Sequence, residues 1–314
     1  MGDVEGTSVA PAVRTNEMIS VDGAELKLAR QVQCLLFPKS SPVCTWCCIG
    51  VKNRIDGMLG GDYFDFIDMP DGCQALFVGD VTGHGLHASV VMSLIYGFIH
   101  HAALVICDPC TVVQEVNSFL LHFSQRSQTV DQYFSSTLFF GIINPVSLRM
   151  TYVNAGHPPA LVRRGEEVIE LCPTAQPVGF FDAMDIEVKT FMFRAGDRLL
   201  LYTDGIIEAA NLPGELFGMD RLKQELLSDN SNHMTFLDTL FVALERFGIP
   251  DPPVDDCTAL IVDIHGPHPR AARNSRLNNG DNKLCDLMRQ LRGGKQFLPN
   301  LQRIFPPPIP PAIH

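Results

Sequence analysis

Acidic residues stand beside glycine or threonine at four points in this sequence. The four segments are Gly60-Gly61-Asp62, Gly79-Asp80-Val81, Thr203-Asp204-Gly205 and Asp255-Asp256-Cys257-Thr258. Three of them adjoin apolar runs that predict buried strands: ALFVGD, RLLLYTDG and DDCTALIV. Because the backbone at the end of a buried strand is held firmly, carboxylates placed there would form a rigid acidic pocket.

Such a pocket predicts divalent cations. Like charges at close range repel and raise one another's pKa, and a bound cation removes that repulsion. Carboxylate, carbonyl and water oxygens are the ligands of Mg²⁺, Mn²⁺ or Ca²⁺ rather than of Zn²⁺. Two such ions about 3.5–4 Å apart activate water and hold a phosphoryl group. A single Gly-Asp or Asp-Gly pair is more often only a turn, so the hypothesis rests on the joint occurrence of all four segments.

The hydrophobic pattern predicts the elements that must position these residues. A helix is expected at residues 24–37, where one apolar stripe recurs at helical spacing: Leu28, Val32, Leu35 and Leu36. This helix either packs on its own domain or serves as a dimerising or signal-transmitting helix. Strands are predicted at residues 43–51, 74–81, 136–143, 149–154, 160–163, 187–193, 198–202 and 258–264. With helices at residues 87–106, 111–124, 220–227 and 235–247, the pattern suggests two sheets flanked by helices.

Six blocks of the sequence resemble, in the same order, the SpoIIE/RsbU branch of the PPM (type 2C) phosphatases. The blocks are LGGDYFDF, ALFVGDVTGHGLHASVVMS, STLFFGIINPVSLRMTYVNAGHPPALV, PVGFF, GDRLLLYTDGIIEAANLPGELFGMDRL and DDCTALIVDI. The resemblance implies an α+β fold, an αββα sandwich of two mainly antiparallel sheets flanked by helices. It also implies two Mn²⁺ or Mg²⁺ ions at one edge of that sandwich.

The resemblance assigns roles to individual residues by position. Asp80 resembles the bridging metal ligand at the catalytic centre, and Val81 would add its backbone carbonyl oxygen. The other implied metal ligands are carboxylates: Asp62, Asp204, Asp255 and Asp256. The last two are adjacent and could exchange roles, so the choice between them stays open.

Other polar residues near these positions have weaker assignments. His84, at the turn into the second predicted helix, is either a catalytic proton donor to the leaving serine oxygen or a residue that shapes the turn. His157 in NAGHPP is expected to order a loop, and Asp65 is expected beside the metal ligands rather than among them. Arg54 receives no phosphate-binding role, because the segment before GGD departs from the family's usual Pro-Ala pair.

The function implied is that of a metal-dependent protein serine/threonine phosphatase. Its implied substrate is phosphoserine or phosphothreonine on a STAS-domain anti-anti-sigma factor in a partner-switching pathway. The first helix would act as a switch, through a homodimer or an upstream activator.

Two alternatives belong to other functional classes. One is a non-catalytic phosphopeptide-binding regulator of the same fold. The other is a zinc module built from the pairs Cys44/Cys47 and Cys107/Cys110. The long spacing between the pairs disfavours zinc, and so does the predicted strand, which would send Cys44 and Cys47 to opposite faces.

Composition limits the remaining possibilities. The net charge is −11, yet residues 265–314 carry eight Lys/Arg against two Asp/Glu, so the body is strongly acidic and unsuited to nucleic acid. The start lacks a secretory pattern, which favours a cytoplasmic protein with reduced thiols. The apolar segment 89–107 is interpreted as a core helix rather than a membrane span, because His100 and His101 fall within it.

The predicted organisation has four parts. Residues 1–20 form a disordered tail and residues 21–39 a regulatory or dimerisation helix. The phosphatase domain spans residues 40–264, and a basic, proline-rich flexible tail covers residues 265–314.

Overall fold

A computed structural model describes residues 23–38, 44–55, 57–125, 134–250 and 253–267. The tails predicted at residues 1–20 and 265–314 lie outside these residues, apart from residues 265–267. The elements are α1 (Gly23–Leu36), β1 (Cys47–Arg54), β2 (Tyr63–Asp68), β3 (Gln74–Val81), α2 (Gly85–Ala103), α3 (Pro109–Ser124), β4 (Ser136–Asn144), β5 (Arg149–Ala155), β6 (Ala160–Arg164), β7 (Glu167–Leu171), β8 (Lys189–Met192), β9 (Arg198–Tyr202), α4 (Asp204–Ile207), α5 (Gly218–Ser228), α6 (His233–Phe247) and β10 (Cys257–Ile264).

The strands form two five-stranded sheets. Sheet A has the order β1-β10-β9-β6-β7, and sheet B has the order β2-β3-β4-β5-β8. The strand pairings in both sheets are antiparallel. This architecture confirms the predicted α+β class with two antiparallel sheets.

Side-chain alternation along β3 explains how the layers stack. Leu76 and Val78 point between the sheets and join a core that includes Leu201 of β9. Phe77 points the other way and packs with Ile95 of α2. On the far side of sheet A, residues of β9 and β10 pack with α5 and α6 in a third core. The layers are therefore helix, sheet, sheet, helix.

Helix α2 is long and apolar enough to cross a membrane by length and composition alone. One such helix is weak evidence for a span. Met92, Ile95 and Ile99 are fully buried against sheet B, so packing within the sandwich accounts for the apolar character of the helix.

The hydrophobic pattern of the sequence missed elements that are short or interrupted by polar residues. β2, β7 and α4 were not predicted. Acidic residues interrupt the apolar pattern of β2, β7 is only partly buried, and α4 is a single turn. The predicted first strand began at residue 43, whereas β1 begins at Cys47. Cys44 lies before a bend and outside β1, so the strand alternation that was expected to send Cys44 and Cys47 to opposite faces does not apply to this pair.

Candidate active site

Strand pairing places the four acidic segments at one end of the sandwich, the acidic edge. Tyr63 of β2 pairs with Gly79 of β3, so Asp62 lies beside the segment that carries Asp80. In sheet A, the end of β9 pairs with the start of β10. The residues that follow β9 and precede β10, among them Asp204, therefore meet at one edge. Each sheet thus contributes two of the four segments.

Two threonines join the sheets across this edge. Asp62 is 2% exposed, and its Oδ2 accepts hydrogen bonds from Thr203 Oγ1 at 2.9 Å and Thr258 Oγ1 at 2.5 Å. Thr258 Oγ1 in turn accepts a hydrogen bond from Asn53 Nδ2 at 2.6 Å. Sequence reasoning gave these threonines no role, although both stand in candidate acidic segments.

The structure separates Asp255 from Asp256. Asp256 is buried, and its Oδ2 accepts the backbone N–H of Gly61 at 2.8 Å. A Cβ atom on Gly60 would lie 2.1 Å from the same oxygen, so this close approach requires glycine. Asp256 therefore holds the loop that leads to Asp62, whereas Asp255 is exposed.

Two oxygens flank the Gly61 position. A Cβ atom built there would lie 3.0 Å from Asp80 Oδ1 and 3.0 Å from the Val81 carbonyl oxygen. Glycine thus leaves open a small space bordered by a carboxylate and a carbonyl. These are the two groups that the sequence resemblance assigns to the bridging position.

The acidic groups raise one another's pKa. Burial is the largest cause for Asp62, whose pKa lies well above its usual range, and the charges of Asp80 and Asp256 add to it. Burial, followed by the charges of Asp204, Asp255 and Asp256, raises the pKa of Asp80 to about 8.

Asp204 follows the same pattern. Burial raises the pKa of this carboxyl, and the charges of Asp255 and Glu208 add to the effect. Among the described residues, the causes that act on Asp62, Asp80 and Asp204 include no lysine or arginine. Neighbouring carboxylates therefore account for the charge contributions to the raised pKa values of Asp62, Asp80 and Asp204.

The donor set fits hard divalent cations. Asp62 Oδ1 is buried and has no hydrogen-bond partner among the described residues, and the other candidate donors are also oxygens. As the side chains stand, no three acidic, histidine or cysteine side chains in the described ranges converge closely enough to hold an ion.

The other residues that the sequence singled out make different contacts. His84 is exposed at the start of α2, and its side chain makes no capping hydrogen bond. Asp65 Oδ2 faces α2 instead, where it contacts His100 Nε2 at 2.7 Å and the Tyr96 hydroxyl. Arg54 forms an ion pair with Glu245.

His157 reaches the acidic edge through a threonine. The ring is 1% exposed, and its Nδ1 lies 2.9 Å from Thr137 Oγ1, which accepts the backbone N–H of Asp80 at 3.2 Å. Burial lowers the pKa of His157 to about 3, so the ring is neutral and its Nδ1 can accept the threonine proton. His157 therefore does more than order its own loop: it supports the backbone of Asp80.

The fold and the acidic edge define a PP2C-type sandwich. Residues 70–265 match the sequence model of the family described as Stage II sporulation protein E (SpoIIE). The chain belongs to this family, which confirms the resemblance seen in the sequence.

A curated relative and two solved structures illustrate the relationship. The chain is 27% identical over 191 residues to the phosphoserine phosphatase RsbP of Bacillus subtilis, covering 59% of the chain and 45% of RsbP. The SiaA-PP2C domain of Pseudomonas aeruginosa shares the fold with a TM-score of 0.66 and 19% identity, covering 77% of the chain and 96% of that domain. RsbX in complex with magnesium also shares it, with a TM-score of 0.53 and 16% identity, covering 72% of the chain and 98% of RsbX. The chain spans less than half the length of RsbP and of a further curated relative.

Replacing Asp80 should reveal the repulsion directly. In chelator at pH 7, Asp80→Asn should be more stable than the unaltered protein, because folding no longer has to protonate a carboxyl that is ionised in the unfolded chain, or to hold it charged beside other carboxylates. The raised pKa of about 8 sets an upper limit of about 4 kcal/mol, and screening reduces the expected gain to about 1–3 kcal/mol. Urea unfolding followed through the single tryptophan, Trp46, measures the difference.

Asp185→Asn, at an exposed aspartate, serves as the matched control and should change stability by less than about 0.5 kcal/mol. Mn²⁺ should stabilise the unaltered protein and the control but not Asp80→Asn. Equal or lower stability of Asp80→Asn in chelator would contradict the proposed charge cluster.

The neutral state of His157 predicts a pH dependence. Its folded pKa of about 3 lies below the unfolded value of about 6.5, so the unfolded chain takes up this proton first. The stability contributed by His157 is therefore lost as the pH falls from about 6.5 toward 3. The stability difference between the unaltered protein and His157→Gln should shrink by about 1.4 kcal/mol per pH unit in that window. A constant difference between pH 7 and pH 5 would show that the ring titrates normally.

Proposed function

We propose that this chain is a metal-dependent protein serine/threonine phosphatase that acts in the cytoplasm. The observation that carries the proposal is the group of carboxylates at the sheet edge, where the charges of neighbouring acidic residues raise the pKa of Asp62, Asp80 and Asp204. Membership of the SpoIIE family and the similarity to the phosphoserine phosphatase RsbP support the same activity.

The proposed ligands of two Mn²⁺ or Mg²⁺ ions are oxygens on both sheets. Sheet B offers Asp62, Asp80 and the carbonyl of Val81, and sheet A offers Asp204 and Asp255. Asp256 acts indirectly, because its carboxylate already accepts the Gly61 N–H. When bound, the ions supply positive charge for the phosphoryl group and make a water molecule more acidic.

The chain's own residues position this chemistry. Thr203 and Thr258 hold one oxygen of Asp62, which leaves the other directed away from the threonines. Thr137 and His157 fix the backbone at Asp80. His84 is exposed four residues after Asp80, and we assign it the delivery of a proton to the serine oxygen that leaves.

The proposed substrate is a phosphoserine or phosphothreonine on a STAS-domain protein of a partner-switching pathway. RsbP is named a phosphoserine phosphatase, and its similarity to this chain supports a phosphoserine substrate here. The retained carboxylates favour hydrolysis over the alternative, a regulator that binds phosphopeptide without cleaving it.

Hydrolysis of p-nitrophenyl phosphate and of a phosphoserine STAS-domain protein tests this function. Both reactions should require Mn²⁺ or Mg²⁺, and Asp204→Asn should lower kcat at least about 100-fold because a charged ligand is lost. The exposed control Asp185→Asn should keep full activity. Tight phosphoprotein binding without turnover in either metal would support the non-catalytic regulator, and full activity of Asp204→Asn would overturn the site.

Helix α1 contacts the loop that carries Asp62. Gln33 is buried, and its side-chain Nε2 donates to the Gly60 carbonyl at 2.8 Å while its Oε1 accepts the Gly60 N–H at 3.3 Å. Arg30 Nη1 also donates to the Gly57 carbonyl at 2.9 Å. A displacement of α1 would therefore remove hydrogen bonds from a buried loop next to the proposed metals.

The end of α1 makes a second connection. The Tyr96 hydroxyl of α2 lies within hydrogen-bonding distance of both the Leu36 carbonyl and the Asp65 carboxylate, and these two acceptors share its single proton. The helix thus contacts, directly at Gly60 and through Tyr96 at Asp65, both ends of the segment that contains Asp62.

The opposite face of α1 is apolar and exposed. Leu28, Val32 and Leu35 are 62%, 55% and 65% exposed, so this part of the predicted stripe does not pack on the sandwich. We propose that a second copy of the chain or an upstream activator covers it and thereby sets the position of Gln33.

The contact between Gln33 and Gly60 predicts a metal-dependent defect. Gln33→Ala should raise the Mn²⁺ concentration needed for half-maximal activity about 10-fold, because the loop beside Asp62 loses its support. Gln31→Ala is the matched control, since Gln31 is exposed on the same helix. Equal Mn²⁺ dependence of the two variants would remove α1 from the regulation of the site.

Sedimentation of the full chain and of a chain that lacks residues 1–38 distinguishes the two proposed partners of the exposed apolar face of α1, a second copy and an upstream activator. A dimer that dissociates on truncation supports a second copy, and a monomer in both cases supports a separate activator. Unchanged sedimentation together with unchanged turnover would defeat the switch.

A further inference from the structure

Two thiols meet at the end of the sandwich opposite the acidic edge. The chain bends immediately before β1, between Cys44 and Cys47, and Cys44 packs against the core cluster that contains Cys47. The two thiols are close enough to shift each other's pKa. Gln74, at the start of β3, lies beside them. Asp80 lies six residues further along β3, so about 20 Å separate the thiols from the acidic edge.

The two thiols differ in exposure. Cys44 is partly exposed, whereas Cys47 is 1% exposed. An accessible thiol can react with an external oxidant, and a buried neighbour can then attack the oxidised sulfur. The pair therefore has the asymmetry of an attacking and a resolving cysteine.

The orientation of one amide favours the thiolate of Cys44. Trp46 Nε1 donates to Gln74 Oε1 at 2.5 Å, and because an indole N–H can only donate, the amide oxygen must face it. The amide nitrogen is then directed to Asp68 Oδ1 at 2.6 Å and to Cys44 Sγ at 3.5 Å. A hydrogen-bond donor therefore faces the sulfur of Cys44.

The neighbouring charges and hydrogen bonds act on the two thiols in opposite directions. The hydrogen bond with Cys47, followed by that with Gln74, lowers the pKa of Cys44 to about 7, although burial and the charge of Asp68 oppose the shift. The pKa of Cys47 is raised, first by its hydrogen bond with Cys44 and then by burial, with a contribution from Asp263. Cys44 is therefore the member of the pair that more readily forms a thiolate.

A cavity gives an oxidant access to this site. Its volume is about 250 Å³, and its lining includes Cys44, Trp46, Cys73, Gln74 and Pro145. A water molecule occupies about 30 Å³ in the liquid, so the cavity admits a small hydroperoxide.

We propose that Cys44 and Cys47 are a thiol modification site that forms a reversible disulfide on reaction with a hydroperoxide. The Cys44 thiolate attacks the peroxide oxygen, the O–O bond breaks, and the leaving oxygen takes a proton to become water or an alcohol. The Cys47 sulfur then attacks the Cys44 sulfenic acid, and the displaced hydroxide leaves as water with the Cys47 proton. The two electrons that reduce the peroxide come from the two thiols, and an external dithiol reverses the reaction.

Peptide mapping of the full chain after treatment with hydrogen peroxide tests the proposal. The peptide that contains Cys44 and Cys47 should resist alkylation, be lighter by two hydrogens and recover both thiols in dithiothreitol. In Cys47→Ser, oxidation should stop at a sulfenic acid on Cys44 that reacts with dimedone. In Cys44→Ser, Cys47 should stay reduced, because the remaining thiol is buried and protonated.

Cys172 provides the internal control, because it is exposed outside this pair. Cys44 should be alkylated by iodoacetamide about three- to tenfold faster than Cys172 at pH 7, because its lowered pKa and the Gln74 N–H that faces its sulfur favour the thiolate. Equal alkylation rates, a disulfide between Cys44 and Cys73, or oxidation of Cys47 in Cys44→Ser would each overturn the assignment.

Discussion

Repulsion between carboxylates is the constraint on which the acidic edge depends. Asp62 and Asp80 come from one sheet, and Asp204 and Asp255 come from the other, so closing the sandwich forces their charges together. Burial of a large apolar side chain contributes about 1.5–3 kcal/mol, and many such side chains fill the space between the sheets. That core outweighs several kcal/mol of repulsion, and the strain that remains is what a divalent cation would relieve.

Neutral hydrogen-bonding groups keep this edge ordered without cancelling its charge. Thr203 and Thr258 reach across from sheet A to Asp62, and the buried carboxylate of Asp256 holds the backbone at Gly61. Since threonine hydroxyls and a backbone N–H carry no net charge, they position the acidic groups and leave their negative potential available to cations.

The sandwich places the proposed hydrolytic site, the proposed thiol site and the regulatory helix α1 at different positions. Strand β3 carries Asp80 near one end and Gln74 at the other, so the proposed hydrolytic site and the proposed thiol site lie about 20 Å apart on one rigid strand. Helix α1 contacts the first of these sites through Gln33 and Gly60. A signal received at α1 would therefore act on the acidic edge first, whereas oxidation at Cys44 would act on the opposite end.

Local pattern determined much of this structure from the sequence alone. The apolar runs of β3 and β9 and the periodicity of α1 depend on neighbouring residues, so their bounds were predicted to within a residue or two, and the candidate aspartates followed from their positions beside such runs. The tertiary structure decided which side chains meet. Only the contact between the sheets gives Thr203 and Thr258 a role and distinguishes buried Asp256 from exposed Asp255. Only the packing of α1 buries Gln33 rather than the stripe at Leu28, Val32 and Leu35, and only the bend before β1 brings Cys44 to Cys47, because such contacts depend on residues far apart in the chain or on a turn that no periodicity reveals.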